Sequence, residues 1–182
     1  MEQFKSIEEL TQIDRKHLTL STLTGKVIDL EKLHAALAAE TLNEEVPDEL
    51  KGQFNIAKNM ALYTYYFYAL APEVHLKTYT VIEHALRLKA QPKTHMGLRK
   101  LLAKAVKDGW ICDAGFRRLE TTEPGNEWCQ RMVDVIPRMR NSQAHGSSML
   151  VPDCLHYISI CADFLNQLYP TNKDIGLHRK GE

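Results

Sequence analysis

Apolar residues recur every three or four positions along much of the chain, which is the spacing of one buried face of an α-helix. The clearest such run begins near Pro47. Its apolar positions are Leu50, Phe54, Ala57, Ala61 and Tyr65. Runs of Val, Ile and Thr, which are typical of strands, are few. The pattern therefore predicts an all-α protein.

Capping residues divide this pattern into separate helices. Asp29 is the predicted N-cap of a helix that ends at Glu40. Thr94 is the predicted cap of a helix whose apolar stripe runs from Leu98 to Val106. Ser6 to Leu18 predicts a weaker first helix.

Prolines set the remaining boundaries, because proline lacks the N–H that a helix interior needs. Pro72 is predicted to break or kink a helix that includes the apolar run from Leu62 to Leu70. A helix from Glu127 to His145 is predicted to kink or restart at Pro137. We expect Pro152-Asp153 to open the last helix.

The length of 182 residues favours a single domain. We expect residues 1–45 to form an amino-terminal helical extension, residues 46–170 to form the core bundle, and residues 171–182 to be a frayed tail. No internal repeat divides the chain further.

Charge and cysteine content narrow the classes of function. The chain has 23 Lys and Arg against 23 Asp and Glu, so bulk attraction to nucleic acid is absent and only a local basic patch could bind it. None of the four cysteines forms a Cys-x-x-Cys pair, which argues against a zinc knuckle. The first residues do not resemble a signal peptide, and no apolar run reaches about 18 residues. We therefore expect a cytoplasmic protein with no membrane partner.

The sequence also offers few ligands for a metal ion. No cluster of Asp and Glu and no His-x-x-x-His spacing offers a hard or borderline cation enough ligands. We expect a protein that uses no metal and no cofactor.

The segment from Arg138 to Gly146 concentrates the chemistry of the chain. Arg138, Arg140, Asn141 and His145 bring two guanidinium groups, an amide and an imidazole into about two helical turns. Arginine binds phosphate in a bidentate manner and stays charged, whereas histidine exchanges protons near neutral pH. These groups are sufficient to cleave RNA through its own 2′-hydroxyl, which DNA lacks.

The motif Arg140-Asn141-x-x-x-His145 resembles the Arg-x4–6-His signature of HEPN domains, which are small helical domains that often act as metal-independent endoribonucleases. The likeness extends to Glu83-x-x-x-Arg87, which is similar to the second core helix of that family. It covers roughly Phe54 to Leu168 by helix order: two long helices, a variable insert, the motif helix and a closing helix.

The resemblance implies a HEPN-like bundle with an up-and-down core of four to five helices and amino-terminal helical additions. It also implies an endoribonuclease of the toxin or defence type that leaves a 2′,3′-cyclic phosphate. Arg140 would stabilise the phosphate, His145 would transfer protons and Asn141 would hold one of them in place. The implied partners are RNA, a second copy of the chain, and an antitoxin or nucleotidyltransferase.

Several alternatives remain open. Arg138, Asn141 and His145 share a helix face better than Arg140 and His145 do, so Arg138 is a second phosphate contact or the rival phosphate ligand. Glu83 and Arg87 either form an ordinary surface pair or help to bind the substrate, with Glu83 orienting Arg140.

Two further questions concern the whole molecule. The aromatic run from Tyr63 to Tyr68 predicts core or a dimer interface rather than a base-stacking platform. The fold would also suit a non-catalytic HEPN-like module that binds a nucleotide or a protein, or a purely structural helical adaptor.

Overall fold

A computed structural model of the chain describes residues 3–25, 28–119, 125–145 and 154–171. Helices and short 3₁₀ turns are the only regular secondary structure in these residues, so the predicted all-α class is confirmed. The α-helices are α1 (Arg15–Thr24), α2 (Leu30–Ala39), α3 (Asp48–Tyr63), α4 (Ala71–Ala90), α5 (Leu98–Lys107), α6 (Glu127–Ala144) and α7 (Cys154–Leu168). None of the described helices is long and apolar enough to cross a membrane.

The predicted first helix from Ser6 to Leu18 is wrong. A 3₁₀ turn occupies Ile7–Glu9, and α1 begins only at Arg15 because Asp14 caps it. One Asp14 carboxylate oxygen accepts from the main-chain N–H of Lys16 at 2.9 Å. The other accepts from the N–H of Tyr68 at 2.9 Å, which ties the start of α1 to the core.

The start of α2 follows the prediction. Asp29 adopts an extended backbone and accepts from the N–H of Lys32 at 3.1 Å. This bond satisfies one of the free donors in the first turn, as an N-cap residue does.

Pro72 starts a helix instead of breaking one. The first long helix, α3, ends at Tyr63, and the following residues turn and form a 3₁₀ segment at Tyr68–Leu70. Pro72 lies in the first turn of α4, where a missing N–H costs nothing because that donor has no partner within the helix. Thr94 is also a wrong prediction, since Gly97 is the N-cap of α5.

The core is built around α4, which packs against α3, α5, α6 and α7. Its inner positions are buried and meet the apolar faces of these neighbours. The largest side chains that are almost completely buried include Leu50, Phe54, Ile82, Leu86, Leu101, Phe164 and Leu165. Each contributes roughly 1.5–3 kcal/mol by leaving water.

The start of α6 is held from a distance by Asp113. The two Asp113 carboxylate oxygens accept from the N–H groups of Trp128 at 2.9 Å and Cys129 at 2.8 Å. In return the side chain of Asn126 accepts from the N–H of Asp113 at 3.2 Å. From this capped start α6 continues through Pro137 as one helix, so of the two predicted alternatives, a kink or a restart, the restart is wrong.

An ion network with two buried carboxylates joins the segment after Asp113 to α2 and α7. Arg117 donates to Asp163 on α7 at 2.5 Å and to Glu40 after α2 at 2.6 Å. Both carboxylates are nearly inaccessible to solvent, whereas Arg117 is half-exposed. The network joins three segments that are far apart in sequence. The predicted start of α7 at Pro152-Asp153 lies outside the described residues, as does nearly all of the predicted tail.

Candidate functional site

The motif helix α6 has an inner and an outer side. Ile136 and Gln143 are buried on the inner side, whereas Arg138 and His145 are exposed on the outer side. At about 100° per residue, Arg140 points near the direction of Ile136 and about 140° away from His145. The helix therefore turns Arg140 toward α4 and His145 toward solvent.

Glu83 on α4 binds two of the predicted site arginines. One of its carboxylate oxygens accepts from Arg87 Nη2 at 2.7 Å, and the other lies 3.5 Å from Arg140 Nη2. The shorter distance is that of a charge-assisted hydrogen bond, and the longer one is a looser ion pair. Two guanidinium groups thus share one carboxylate, which leaves a net positive charge beside α6.

Arg140 is positioned by more than this ion pair. Its Nη1 donates to the side-chain oxygen of Asn141 at 3.4 Å. Its Nε is buried and has no acceptor among the described residues. The Arg140 side chain is about 36% exposed, so the cation is only partly enclosed. Arg140 is therefore a partly desolvated cation with unused donor capacity.

His145 is the C-cap of the motif helix and directly follows its last residue, Ala144. Its backbone leaves the helical region, and its N–H donates to the carbonyl of Asn141 at 3.0 Å. The exposed imidazole makes no hydrogen bond or ion pair with any residue that the structure describes. Gly146, the next residue of the motif, lies outside the described residues.

Arg138 shares the outer side of α6 with His145. Its guanidinium is exposed and has no carboxylate partner in the described parts of the chain. The structure thus brings Glu83, Arg87, Arg140 and Asn141 together, and it leaves Arg138 and His145 on the neighbouring outer surface.

One contact beneath the site was not predicted from the sequence. The hydroxyl of Tyr79 on α4 donates to the sulfur of Met139 at 3.5 Å. Burial, followed by the neighbouring Tyr157, raises the pKa of Tyr79, so this phenol stays protonated. The contact fixes α6 against α4 one turn from Glu83. The only signal of this contact in the sequence is that Tyr79 lies four residues before Glu83, on the same face of one helix.

The residues of the candidate site coincide with neither a metal cluster nor the groove that Trp110 lines. Within the described ranges, no group of three or more His, Cys, Asp or Glu side chains is placed to hold a metal ion. A groove of about 500 Å³ is lined in part by Lys89, Trp110 and Arg117. It contains none of the predicted site residues.

Comparison with known proteins adds no further assignment: no family model, curated protein or solved structure matches this chain. The chemistry of the site must therefore be argued from its own residues.

Proposed function

We propose that the protein is a metal-independent HEPN-like endoribonuclease whose site is formed around Arg140, Asn141 and His145. The observation that carries this proposal is the Glu83–Arg140 ion pair beside an exposed histidine at the end of the same helix. The order α3, α4, α6 and α7, with α5 as the insert, supports the family resemblance of the sequence.

The local charge suits a phosphodiester. Arg140 and Arg87 together outweigh Glu83, and the long 3.5 Å contact leaves Arg140 able to pair with a phosphate oxygen. Asn141 holds one edge of Arg140 at the boundary between the inner and outer sides of α6. A cation held in this way stabilises the charge that collects on phosphorus in the transition state.

The reaction would be an internal transphosphorylation. A histidine takes the proton of the ribose 2′-hydroxyl, and the resulting oxygen bonds to the adjacent phosphorus. The bond from phosphorus to the 5′-oxygen breaks, and that oxygen receives a proton from a second acid. The products are a 2′,3′-cyclic phosphate and a free 5′-hydroxyl.

This chemistry needs two proton-transfer groups, whereas the motif supplies one imidazole per chain. A two-fold axis that brings the outer sides of two α6 helices together would supply two His145 and two Arg138 side chains. Val135, which is 37% exposed on the same side, would be covered in that arrangement. The active unit of the proposal is therefore a homodimer with a composite site.

One observation favours a second candidate function. Both terminal nitrogens of Arg140 already face oxygens of its own chain, in Glu83 and Asn141. That arrangement would also suit a non-catalytic HEPN-like module in which Arg140 has a structural role and the outer side of α6 binds a nucleotide or a protein.

A subunit-mixing experiment tests the composite site. Wild-type protein is mixed with an excess of His145→Ala and the subunits are allowed to exchange. We expect RNA cleavage per wild-type chain to fall, because most wild-type chains then share a site with one histidine. In the control mixture the excess chain is the double variant His145→Ala/Val135→Lys. Its added charge on the outer side of α6 should keep it from pairing with wild-type chains, so the activity per wild-type chain should stay unchanged. Unchanged activity with His145→Ala despite heterodimer formation would contradict the proposal.

A further inference from the structure

The solvent-exposed face of α3 carries no charge after its first turn. Its exposed positions from there onward are Gly52, Asn55, Ile56, Asn59 and Tyr63. They fall within an arc of about 100° on a regular helix. The opposite arc holds the buried residues Leu50, Phe54, Ala57 and Ala61. These five exposed positions contain no Asp, Glu, Lys or Arg, in a chain whose residues are 25% charged.

Two of these residues are large and apolar in character. Ile56 is 46% exposed and Tyr63 is 59% exposed. The Tyr63 ring lies 6.5 Å from that of Tyr66, which in turn contacts Tyr65, so an aromatic group extends this face beyond the end of α3. Depletion of charge together with exposed tyrosine is the composition typical of protein–protein interfaces.

Gly52 has no explanation within its own chain. It lies in the interior of α3 with no positive φ, and a Cβ built on it would meet no atom within 4 Å. Glycine at such a position costs roughly 1 kcal/mol of helix stability relative to alanine. Neither the backbone conformation nor the packing of its own chain requires a glycine at position 52. A missing side chain would, however, allow another chain to approach the helix closely.

The uncharged surface continues onto α2, which packs against α3. His34 and Ala38 on α2 form one groove with Asn55 and Asn59 on α3. Among the described residues, Lys58 is the one cation that lines this groove, and it is turned inward: its ammonium donates to the Glu40 carbonyl at 3.0 Å and lies 5.7 Å from the centre of the Phe54 ring.

We infer that the exposed face of α3 binds the same face of a second copy of this chain, with the two α3 helices antiparallel. Gly52 and Tyr63 lie at equal distances from the midpoint between Ala57 and Lys58, and so do Ile56 and Asn59. A two-fold axis through that midpoint therefore sets Tyr63 of the partner subunit over Gly52, and Asn59 of the partner subunit beside Ile56. At both ends of the contact, the large side chain of Tyr63 therefore lies over Gly52, which has no side chain.

The absence of charge also favours a second copy over an unlike partner. A two-fold interface brings each patch against its own copy, so charged residues near the axis would face like charges and repel. A face without charge avoids this repulsion and offers no attraction to an acidic or basic partner. Because α3 and α6 are not packed together in the described structure, this contact is separate from the α6 surface used in the proposed ribonuclease and does not depend on it.

Sedimentation analysis over a wide range of protein concentration tests this contact. We expect the wild type to self-associate, and we expect Gly52→Glu and Tyr63→Lys each to weaken association at least ~10-fold, which is about 1.4 kcal/mol. The double variant should recover most of the lost affinity, because it sets a new carboxylate at position 52 opposite a new ammonium at position 63 of the partner. Ala103→Glu, on the exposed side of α5, is the matched charge control and should behave as the wild type.

Melting temperatures of the same variants separate association from folding. Gly52→Glu should melt no lower than the wild type when measured on the monomer, because glutamate is the better helix former. A wild type that stays monomeric, or single variants that associate as the wild type does, would overturn the inference. Association lost only on Val135→Lys, which lies on α6, would also overturn it. A double variant as weak as the single ones would overturn the antiparallel pairing.

Discussion

The carboxylate of Glu83 on α4 lies 3.5 Å from the guanidinium of Arg140 on α6, and it binds Arg87 at 2.7 Å with its other oxygen. This relationship connects two stretches of sequence that each carry a recognisable pattern. It also gives Glu83 a specific role in the proposed reaction, as a residue that positions Arg140 without touching the substrate.

Glu83→Gln should lower RNA cleavage mainly through kcat. The amide keeps the shape of the side chain but loses the charge that holds Arg140, and a displacement near 1 Å can cost about 100-fold in rate. Steady-state kinetics should show a kcat reduced about 10- to 100-fold with KM changed much less. Glu73→Gln, at an exposed acid in the first turn of the same helix, should have no effect. Equal activity of the two variants would mean that the Glu83 ion pair is only structural.

Alanine substitution should show which of the two arginines of the motif contributes more to kcat. Arg140→Ala removes the cation held next to Asn141 and should reduce kcat about 10²- to 10³-fold. Arg138→Ala removes an exposed cation of the outer side and should mainly raise KM, by loss of a phosphate contact. The reverse order would make Arg138 the phosphate ligand that acts with His145.

Asp113→Ala should destabilise the protein by about 1–2 kcal/mol at pH 7, because two donors in the first turn of α6 lose their acceptor. Burial alone would raise the pKa of Asp113, but the hydrogen bonds from Cys129 and Trp128 outweigh it and lower the pKa below its usual value. The stabilisation is therefore complete above the unfolded pKa of about 3.9 and is lost as the pH falls through the folded value. Urea unfolding of the wild type and of Asp113→Ala should give free energies of unfolding that become equal only below about pH 4.

Arg117→Ala should also destabilise the fold, by about 2 kcal/mol, because it leaves the carboxylates of Glu40 and Asp163 enclosed without their main partner. Arg118→Ala is the control: its contact with Glu40 is 3.7 Å long and its own side chain is exposed, so its loss should cost less than ~1 kcal/mol.

The pH dependence of the Arg117 variant should differ from that of the Asp113 variant. Burial raises the pKa of Asp163 despite the opposing hydrogen bonds and charge of Arg117, so removing Arg117 should raise it further. A raised folded pKa means that stability is lost as the pH rises through it. The deficit of Arg117→Ala should therefore be largest at neutral pH and should shrink on acidification already above pH 4, at a higher pH than for Asp113→Ala. A constant deficit from neutral to acid pH would contradict this assignment.

The helices could be predicted where a local signal determines them. The apolar period predicted the class, and Asp29 predicted a capped start because a capping bond involves only neighbouring residues. Helical geometry also predicted that Arg140 and His145 point in different directions. These features depend on the spacing along one helix and on little else.

The wrong or missing predictions concern features that depend on contacts between distant parts of the chain. The apolar run from Leu62 to Leu70 looks helical, but its backbone turns so that Asp14 and Tyr68 can pair. The Asp113 cap of α6 and the Arg117 network join residues from separate segments, and no local pattern indicates which carboxylate an arginine or a helix start will find. Pro72 does not indicate by itself whether a helix ends or begins there, because proline is common at both boundaries.

Cleavage of RNA in the presence of EDTA tests the central claim most directly. Wild type and His145→Ala are incubated with an RNA and with the DNA of the same sequence, and the ends of the products are analysed by mass spectrometry. We predict that the wild type cuts only the RNA, leaves 2′,3′-cyclic phosphate ends and tolerates EDTA, while His145→Ala is at least ~10²-fold slower. Cleavage that EDTA abolishes and magnesium restores, cleavage of the DNA, or equal rates for wild type and His145→Ala would contradict the proposed ribonuclease.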